Sequence, residues 1–287
     1  MKFFGSKRKK PKIQSLLIEE KDILGNLSGD KGTSLFLGKY ALKEVKAVLE
    51  KRNFLNDARK RNLWPLDFLM DSSEFPLQKF QIFYRKKKPE NLIVDLKIRE
   101  GLFRPKERTT DFPFEKYRFL ILDWFTLQNP LKKSPEHSLL LPGQKYPGLS
   151  LGKKVVDVFV YLARLFKLDG VLAFPAYFHN AILFSRCFTF INPEKQGEIH
   201  AIRKSFRDVY FKQLAWIVHL NCLKEKGNKI YEWKAEEQLY PLNKILKNYF
   251  DSKEYKEKVD SSMKQNLKKY FIDWDCYRKK IKEGVKE

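Results

Sequence analysis

Asp123 interrupts the apolar run Phe119 to Leu127 (FLILDWFTL), where a carboxylate needs a partner or a purpose. An unpaired buried polar group costs about 2–7 kcal/mol. Desolvation also raises a carboxyl pKa toward the range of a general base. A structural salt bridge or turn cap is the other reading of the same residue. Further on, Tyr177-Phe178-His179-Asn180 opens a short helical segment. Tyr177 or His179 could hand over a proton there, although a lone histidine is more often structural. Asn180 could bond an amide of a ligand or cap the helix.

The stretch Pro142-Gly143-Gln144-Lys145-Tyr146-Pro147-Gly148-Leu149-Ser150-Leu151-Gly152-Lys153-Lys154 precedes a long amphipathic helix. Small residues let a backbone approach a ligand closely, and a helix N-terminus offers unpaired N–H groups. Both suit a pyrophosphate. Lys153 and Lys154 oppose the helix dipole, so they call for anionic compensation. A tight loop that needs glycine for geometry alone fits the same residues. Gly148 to Gly152 also matches GxSxG, but a nucleophile elbow is entered from a buried strand. Gln144-Lys145-Tyr146-Pro147 is no such strand, so Ser150 is a weak candidate nucleophile.

The elements that must position these residues follow from periodicity. Helical spacing of Leu42, Val45, Val48/Leu49 and Phe54/Leu55 predicts one helix from Tyr40 to about Leu63, ending before Trp64-Pro65. A Pro-punctuated loop comes next. Leu77 to Tyr84 and Leu92 to Phe103 read as hairpin strands around the tip Arg85 to Asn91. Phe119 to Leu127 reads as a central strand covered on both faces. After the loop come a helix from about Leu151 to Leu168, a strand Val171 to Phe174, a helix over 177–186 and a strand Phe188 to Ile191. That order is α/β with a mixed sheet. Residues 1–38 read as a basic tail and Gly-rich entry, 39–199 as the sheet domain. Residues 200–287 read as an extension: a helix-like 200–213, an apolar stretch 214–223 and a charged helical tail from 243 to 283.

Composition narrows the class. With 43% apolar and 15% aromatic residues the chain is a folded protein. At this length it can bury roughly 75% of its unfolded surface, with no need of disulfides or metal. Cys187, Cys222 and Cys276 form no CxxC pair, and no HExxH or HxxxH spacing joins the four histidines. A zinc ribbon, a disulfide framework and a zincin site are thereby unsupported. Free thiols, no 18-residue apolar run and no signal h-region give a cytoplasmic expectation. The net charge of +23 favours anionic partners, with dense clusters at Lys7 to Lys10 and Arg85 to Lys88. Most of these runs read as solvated surface.

Over about residues 40–192 the chain resembles the GNAT superfamily of N-acyltransferases, more by element order than by strict motif. That family places a Q/R-x-x-G-x-G/A loop between a central strand and a long helix. A strand follows, then a helix opening with Asn-x-x-Ala or similar. Phe119 to Leu127 matches the strand, Gly148 to Gly152 the loop, and Asn180-Ala181 with Phe184 and Phe188 the second helix and next strand. Gln144 lies four residues before Gly148 instead of three, and a second register puts Ser150 at the first glycine. Phe184 stands where many members have a tyrosine acid.

The resemblance implies an α/β (α+β) fold: a mixed, mostly antiparallel central sheet flanked by helices, GNAT-like, with a C-terminal extension. It implies acetyl-CoA or another acyl-CoA as cofactor, bound by Gln144, Gly148, Leu149, Ser150, Leu151, Gly152, Lys153, Asn180 and Phe184. Asp123, Tyr177 and His179 become candidate catalytic residues for acyl transfer to an amine acceptor, its identity open. The alternative is a non-enzymatic basic protein on the same scaffold, binding nucleic acid or an anionic membrane surface.

Overall fold

The computed structural model describes residues 35–103, 112–113, 116–132 and 140–283. The basic cluster Lys7 to Lys10, the tail through residue 34 and the loop positions 133–139 lie outside the described residues. Helix α1 (Leu42–Lys51) opens on a capping contact, in which Glu44 accepts from the Ala41 N–H at 2.9 Å. Apolar spacing continues past it, which predicts one helix to Leu63. The chain instead breaks at Asn53, whose φ of 59° is left-handed, and restarts as α2 (Phe54–Lys60). Asparagine is among the few residues that adopt this conformation readily.

The stretch expected as a Pro-punctuated loop contains strand β1 (Leu66–Asp71). It pairs antiparallel with β2 (Gln78–Tyr84), from Leu66↔Tyr84 to Asp71↔Lys79. β2 pairs with β3 (Leu92–Phe103), and β3 with β4 (Tyr117–Leu127), both antiparallel. Helix α3 (Gly152–Leu165) then crosses to β5 (Gly170–Ala173), which lies parallel to β4. Helix α4 (Phe178–Phe184) leads to β6 (Thr189–Phe190) and α5 (Pro193–Ser205).

The apolar stretch beyond 213 belongs to helix α6 (Phe211–His219). Strands β7 (Leu223–Glu225) and β8 (Lys229–Ile230) follow, then β9 (Gln238–Pro241). Helices α7 (Lys244–Asp251) and α8 (Lys253–Asn266), strand β10 (Tyr270–Ile272) and helix α9 (Trp274–Lys282) complete the described chain.

Among the described residues the main sheet has seven strands in the order β1-β2-β3-β4-β5-β9-β6, and a small sheet runs β10-β7-β8. Every pairing in the main sheet is antiparallel except β4 with β5. The fold is therefore mixed α/β with a mostly antiparallel sheet flanked by helices. β9 comes from the segment read as an appended extension, so that segment supplies a strand of the central sheet.

Strand β4 is buried on both faces, as its apolar run requires. Leu120 and Leu122 join Phe80, Ile82, Val94 and Leu96 beneath α1, α2 and α3. On the opposite face Tyr117, Phe119 and Ile121 meet Leu172, Leu239 and the aromatic rings of α7 and α8. A third cluster joins α4, α5 and α6 to the small sheet. Among the described residues no helix is long and apolar enough to cross a membrane.

The insertion of β9 depends on one close approach. A Cβ on Gly170 would stand 2.6 Å from the Tyr240 carbonyl oxygen and 3.3 Å from the Phe119 ring. Gly170→Ala should therefore force β5 and β9 apart and cost about 1–3 kcal/mol. Urea unfolding of the two proteins side by side measures this; an unchanged midpoint would contradict the contact.

Candidate functional site

The register of β4 against β3 slips once. Lys97 faces Trp124, but Ile98 faces Leu122, so Asp123 is the extra residue of a β-bulge. The extra residue changes which side chains point where. Leu120 and Leu122 face the core under α3, and past the bulge it is Phe125 and Leu127 that pack there. The Phe125 ring meets Phe159 of α3 edge-on at 5.6 Å.

Asp123 turns to the other face, where Arg99 of β3 grips it with two bonds. These are Nε to Oδ2 at 2.8 Å and Nη2 to Oδ1 at 3.3 Å. The pair is about one-third exposed, 29% for Asp123 and 34% for Arg99. The sequence reading of a desolvated carboxylate is thus corrected: the salt-bridge alternative is what the fold contains. Each carboxylate oxygen already accepts a bond from Arg99, a poor arrangement for a general base.

On its other edge β4 pairs with β5 only from Phe119↔Gly170 to Leu122↔Ala173. The pairing ends at the bulge, where β5 itself stops. No described strand lies beside Asp123 to Leu127 on that edge. The next partner is the loop: Gln128 bridges to Gly148, and the Asn129 N–H donates to the Pro147 carbonyl at 2.8 Å. The stretch of β4 edge left without a strand partner, a slot in the sheet, is therefore closed at one end by Pro147-Gly148.

The loop itself is anchored by Leu149 and Leu151, both buried in the core below α3. Between them Ser150 takes a left-handed φ of 57°, the position where a bend of this hand favours glycine. Gly152 is the first residue of α3, and a Cβ there would meet nothing within 4 Å. Leu151 at the N-cap offers no side-chain acceptor, and the first turn carries no acidic residue. Lys153 is exposed. Lys154 is ion-paired with Asp57 of α2, and this contact holds the Asp57 carboxyl below its ordinary range. Compensation for that lysine comes from within the protein.

Gln144 stands apart from these residues. Its Oε1 accepts from the Leu141 N–H at 3.3 Å, and its own N–H donates to the Leu141 carbonyl at 3.0 Å. It fastens its own turn. That turn packs on Tyr177, whose hydroxyl oxygen would lie 2.6 Å from a Cβ placed on Gly143. With a φ of 73°, Gly143 must be glycine on both counts.

Tyr177 occupies the N-cap of α4 and makes no capping bond. Its ring stacks on His179 at 5.2 Å and lies 5.9 Å from His219 of α6. Trp216 crosses His219 at 5.4 Å and donates its indole N–H to the Leu140 carbonyl at 2.6 Å. No sequence motif marks His219 and Trp216; only the apolar character of α6 points at their helix. His179 is 3% exposed, and burial, then His219, push its pKa down to about 4. It is a neutral imidazole near pH 7.

Asn180 lies in the first turn of α4, inside the helix, so it does not cap it. Phe184 ends that helix and packs on Phe188 at 5.5 Å against the main core. The structure thus unites Gly148 through Lys153 at the end of the β4 slot, and Tyr177 with His179 in an aromatic cluster. Gln144 fastens its own turn and Phe184 packs on Phe188, both apart from the loop. Among the described residues no group of three metal-capable side chains gathers.

No family model matches the chain, and no curated protein matches it at a significant level. Three solved structures share some of its shape. A tyrosine-to-phenylalanine mutant of KacT is similar at a TM-score of 0.29 and 10% identity, over 76% of this chain and 92% of KacT. AtaT complexed with acetyl-methionyl-tRNAfMet has a TM-score of 0.25 and 12% identity, over 54% of this chain and 81% of AtaT. AtaTR bound with AcCoA has a TM-score of 0.25 and 11% identity, over 56% of this chain and 81% of that one. Scores this low leave the fold to be judged on strand order and register.

His179 generates a test of its own surroundings. Its folded pKa lies below the unfolded value of about 6.5, so the unfolded chain binds the proton first as pH falls. The neutral burial costs no stability above pH ~6.5 and destabilises increasingly down to pH ~4, by on the order of 3 kcal/mol. His179→Gln should therefore lose less stability than wild type between pH 7 and pH 4.5, measured by urea unfolding at both pH values. Parallel losses in the two proteins would refute the buried neutral imidazole.

Proposed function

We propose that this chain is a GNAT-type acyltransferase that moves an acyl group, acetyl first, from acyl-CoA to an amine. The observation that carries the reading is the end of the β4–β5 pairing at the Asp123 bulge, with the loop that begins at Gly148 bridged to the far end of the unpaired edge. The strand-loop-long helix-strand-helix-strand order is the one the family resemblance requires. The left-handed bend at Ser150 favours the register that sets Ser150 and Gly152 at the two glycine positions. Gln144 then falls outside the motif.

In this reading the loop amides from Ser150 to Lys153 hold the pyrophosphate of CoA. Helix α3 aims its uncapped N-terminus there, and Gly152 leaves room for close approach. Backbone N–H groups of β4 along the slot orient the thioester and stabilise charge that develops on its oxygen. Acyl-CoA supplies the activated thioester when bound. Tyr177 is the proton donor for the departing thiolate. His179, buried and neutral, positions the Tyr177 ring by stacking. Asp123 keeps the bulge in place through Arg99 and does not act as the base.

Calorimetric titration of acetyl-CoA separates the readings. Wild type should bind saturably. Gly152→Asp should weaken binding at least about 10-fold, or ~1.4 kcal/mol. The new carboxylate enters open space and suits the helix dipole, so the fold is kept while phosphate is repelled. Tyr177→Phe should leave CoA affinity unchanged and slow acyl transfer to a screened amine by roughly 10²-fold. No binding of acetyl-CoA or longer acyl-CoA at millimolar concentration would end the enzyme reading. Salt-sensitive binding to a polyanion in its place would favour the basic binding protein.

A further inference from the structure

Two of the thiols that look unrelated in sequence meet in the fold. Cys222 and Cys276 are 54 residues apart, yet their Sγ atoms stand 2.7 Å from each other. That is well inside the contact distance of two unbonded sulfurs, and a disulfide bond is about 2.05 Å long. We propose that Cys222 and Cys276 are a disulfide-forming pair, oxidised by a low-molecular-weight disulfide of the glutathione class.

Both cysteines are held by backbone bonds. Cys222 closes the turn after α6, donating its N–H to the Ile217 carbonyl at 2.8 Å, and its carbonyl accepts from the Asp273 N–H at 2.9 Å. Asp273 caps α9 by accepting from the Cys276 N–H at 2.9 Å. Beside them Leu223 of β7 pairs with Ile272 of β10. The Lys224–Asp273 ion pair at 2.6 Å and the Lys280 bond to the Leu220 carbonyl at 2.6 Å bind the same two segments. The two thiols therefore meet because a rigid frame brings them together.

The order of steps follows from accessibility. Cys222 is buried, and burial first, then the neighbouring thiol, push its pKa up to about 12. Cys276 is the more accessible and attacks first. Its thiolate displaces one glutathione from the oxidised dimer and forms a mixed disulfide. Cys222 then gives up its proton and attacks the Cys276 sulfur, which expels the second glutathione. Two cysteine thiols are oxidised, one glutathione disulfide is reduced to two thiols, and the two protons pass to the released glutathione. The product ties α9 to the turn after α6, the helix whose Trp216 and His219 support Tyr177.

The test incubates the full chain with oxidised glutathione, blocks remaining thiols with iodoacetamide, and maps peptides by mass spectrometry. The expected result is a Cys222–Cys276 cross-linked peptide, lighter by two hydrogens than the reduced pair, with Cys187 still alkylated. The thermal midpoint should rise by roughly 5–10 °C, because a long loop of the unfolded chain is closed. Dithiothreitol should reverse the rise. Cys187→Ser should retain it and Cys276→Ser should lose it. Alkylation of both Cys222 and Cys276, or a glutathione adduct that persists on Cys276, would overturn the proposal.

Discussion

Strand β4 must satisfy incompatible demands along eleven residues, and the way it does so sets the rest of the molecule. Its first half lies antiparallel to β3 on one edge and parallel to β5 on the other, with both faces covered. Its second half keeps β3 but leaves β5. The single inserted residue, Asp123, marks the change. It turns the strand so that Phe125 and Leu127 stay under α3, and the carboxylate left on the far face is tied down by Arg99. Without the bulge, the same residues in an unbroken register would put Phe125 on the wrong side of the sheet. The slot exists because β4 bends there while β5, only four residues long, ends.

Much of this architecture is legible in the sequence where burial imposes a period. The alternation of Leu92, Val94, Leu96 and Ile98 marks β3, and the unbroken run after Phe119 marks a strand covered twice. The stripe Val155, Val158/Phe159, Leu162 marks α3. What escapes has no period to show. In β1 the run Phe68-Leu69-Met70 sits between two aspartates just after Pro65, with no clean alternation. The break between α1 and α2 is invisible because apolar residues keep helical spacing across Asn53. β9 is four residues ending in proline, and only its neighbours β5 and β6 make it a strand.

The candidate site is legible by composition more than by geometry. Gly148, Ser150 and Gly152 draw attention as a flexible loop, and the fold does place them at the slot. Serine, however, gives no hint that it holds the left-handed bend. Gln144 matches a family letter at a wrong spacing, and it proves to fasten a turn against Tyr177. Lys154 looks like a cation in search of an external anion. Asp57, nearly a hundred residues earlier, answers it, a pairing that no local pattern encodes. Tyr177 and His179 are paired by adjacency, whereas their partners His219 and Trp216 arrive from a separate helix.

The interleaving of β9 between β5 and β6 also bears on how the chain is made. Folding during synthesis proceeds from the N-terminus as residues emerge. Strands β1 to β5 can assemble early, but β5 then presents an open edge until Gln238 to Pro241 have left the ribosome. β6 waits with it, because among the described residues β6 pairs with β9 alone. During that interval an apolar strand edge is available to neighbouring chains, the ordinary route to mispairing. Between residues 173 and 241 the chain thus lengthens with the edge of β5 still waiting for the strand that seals it.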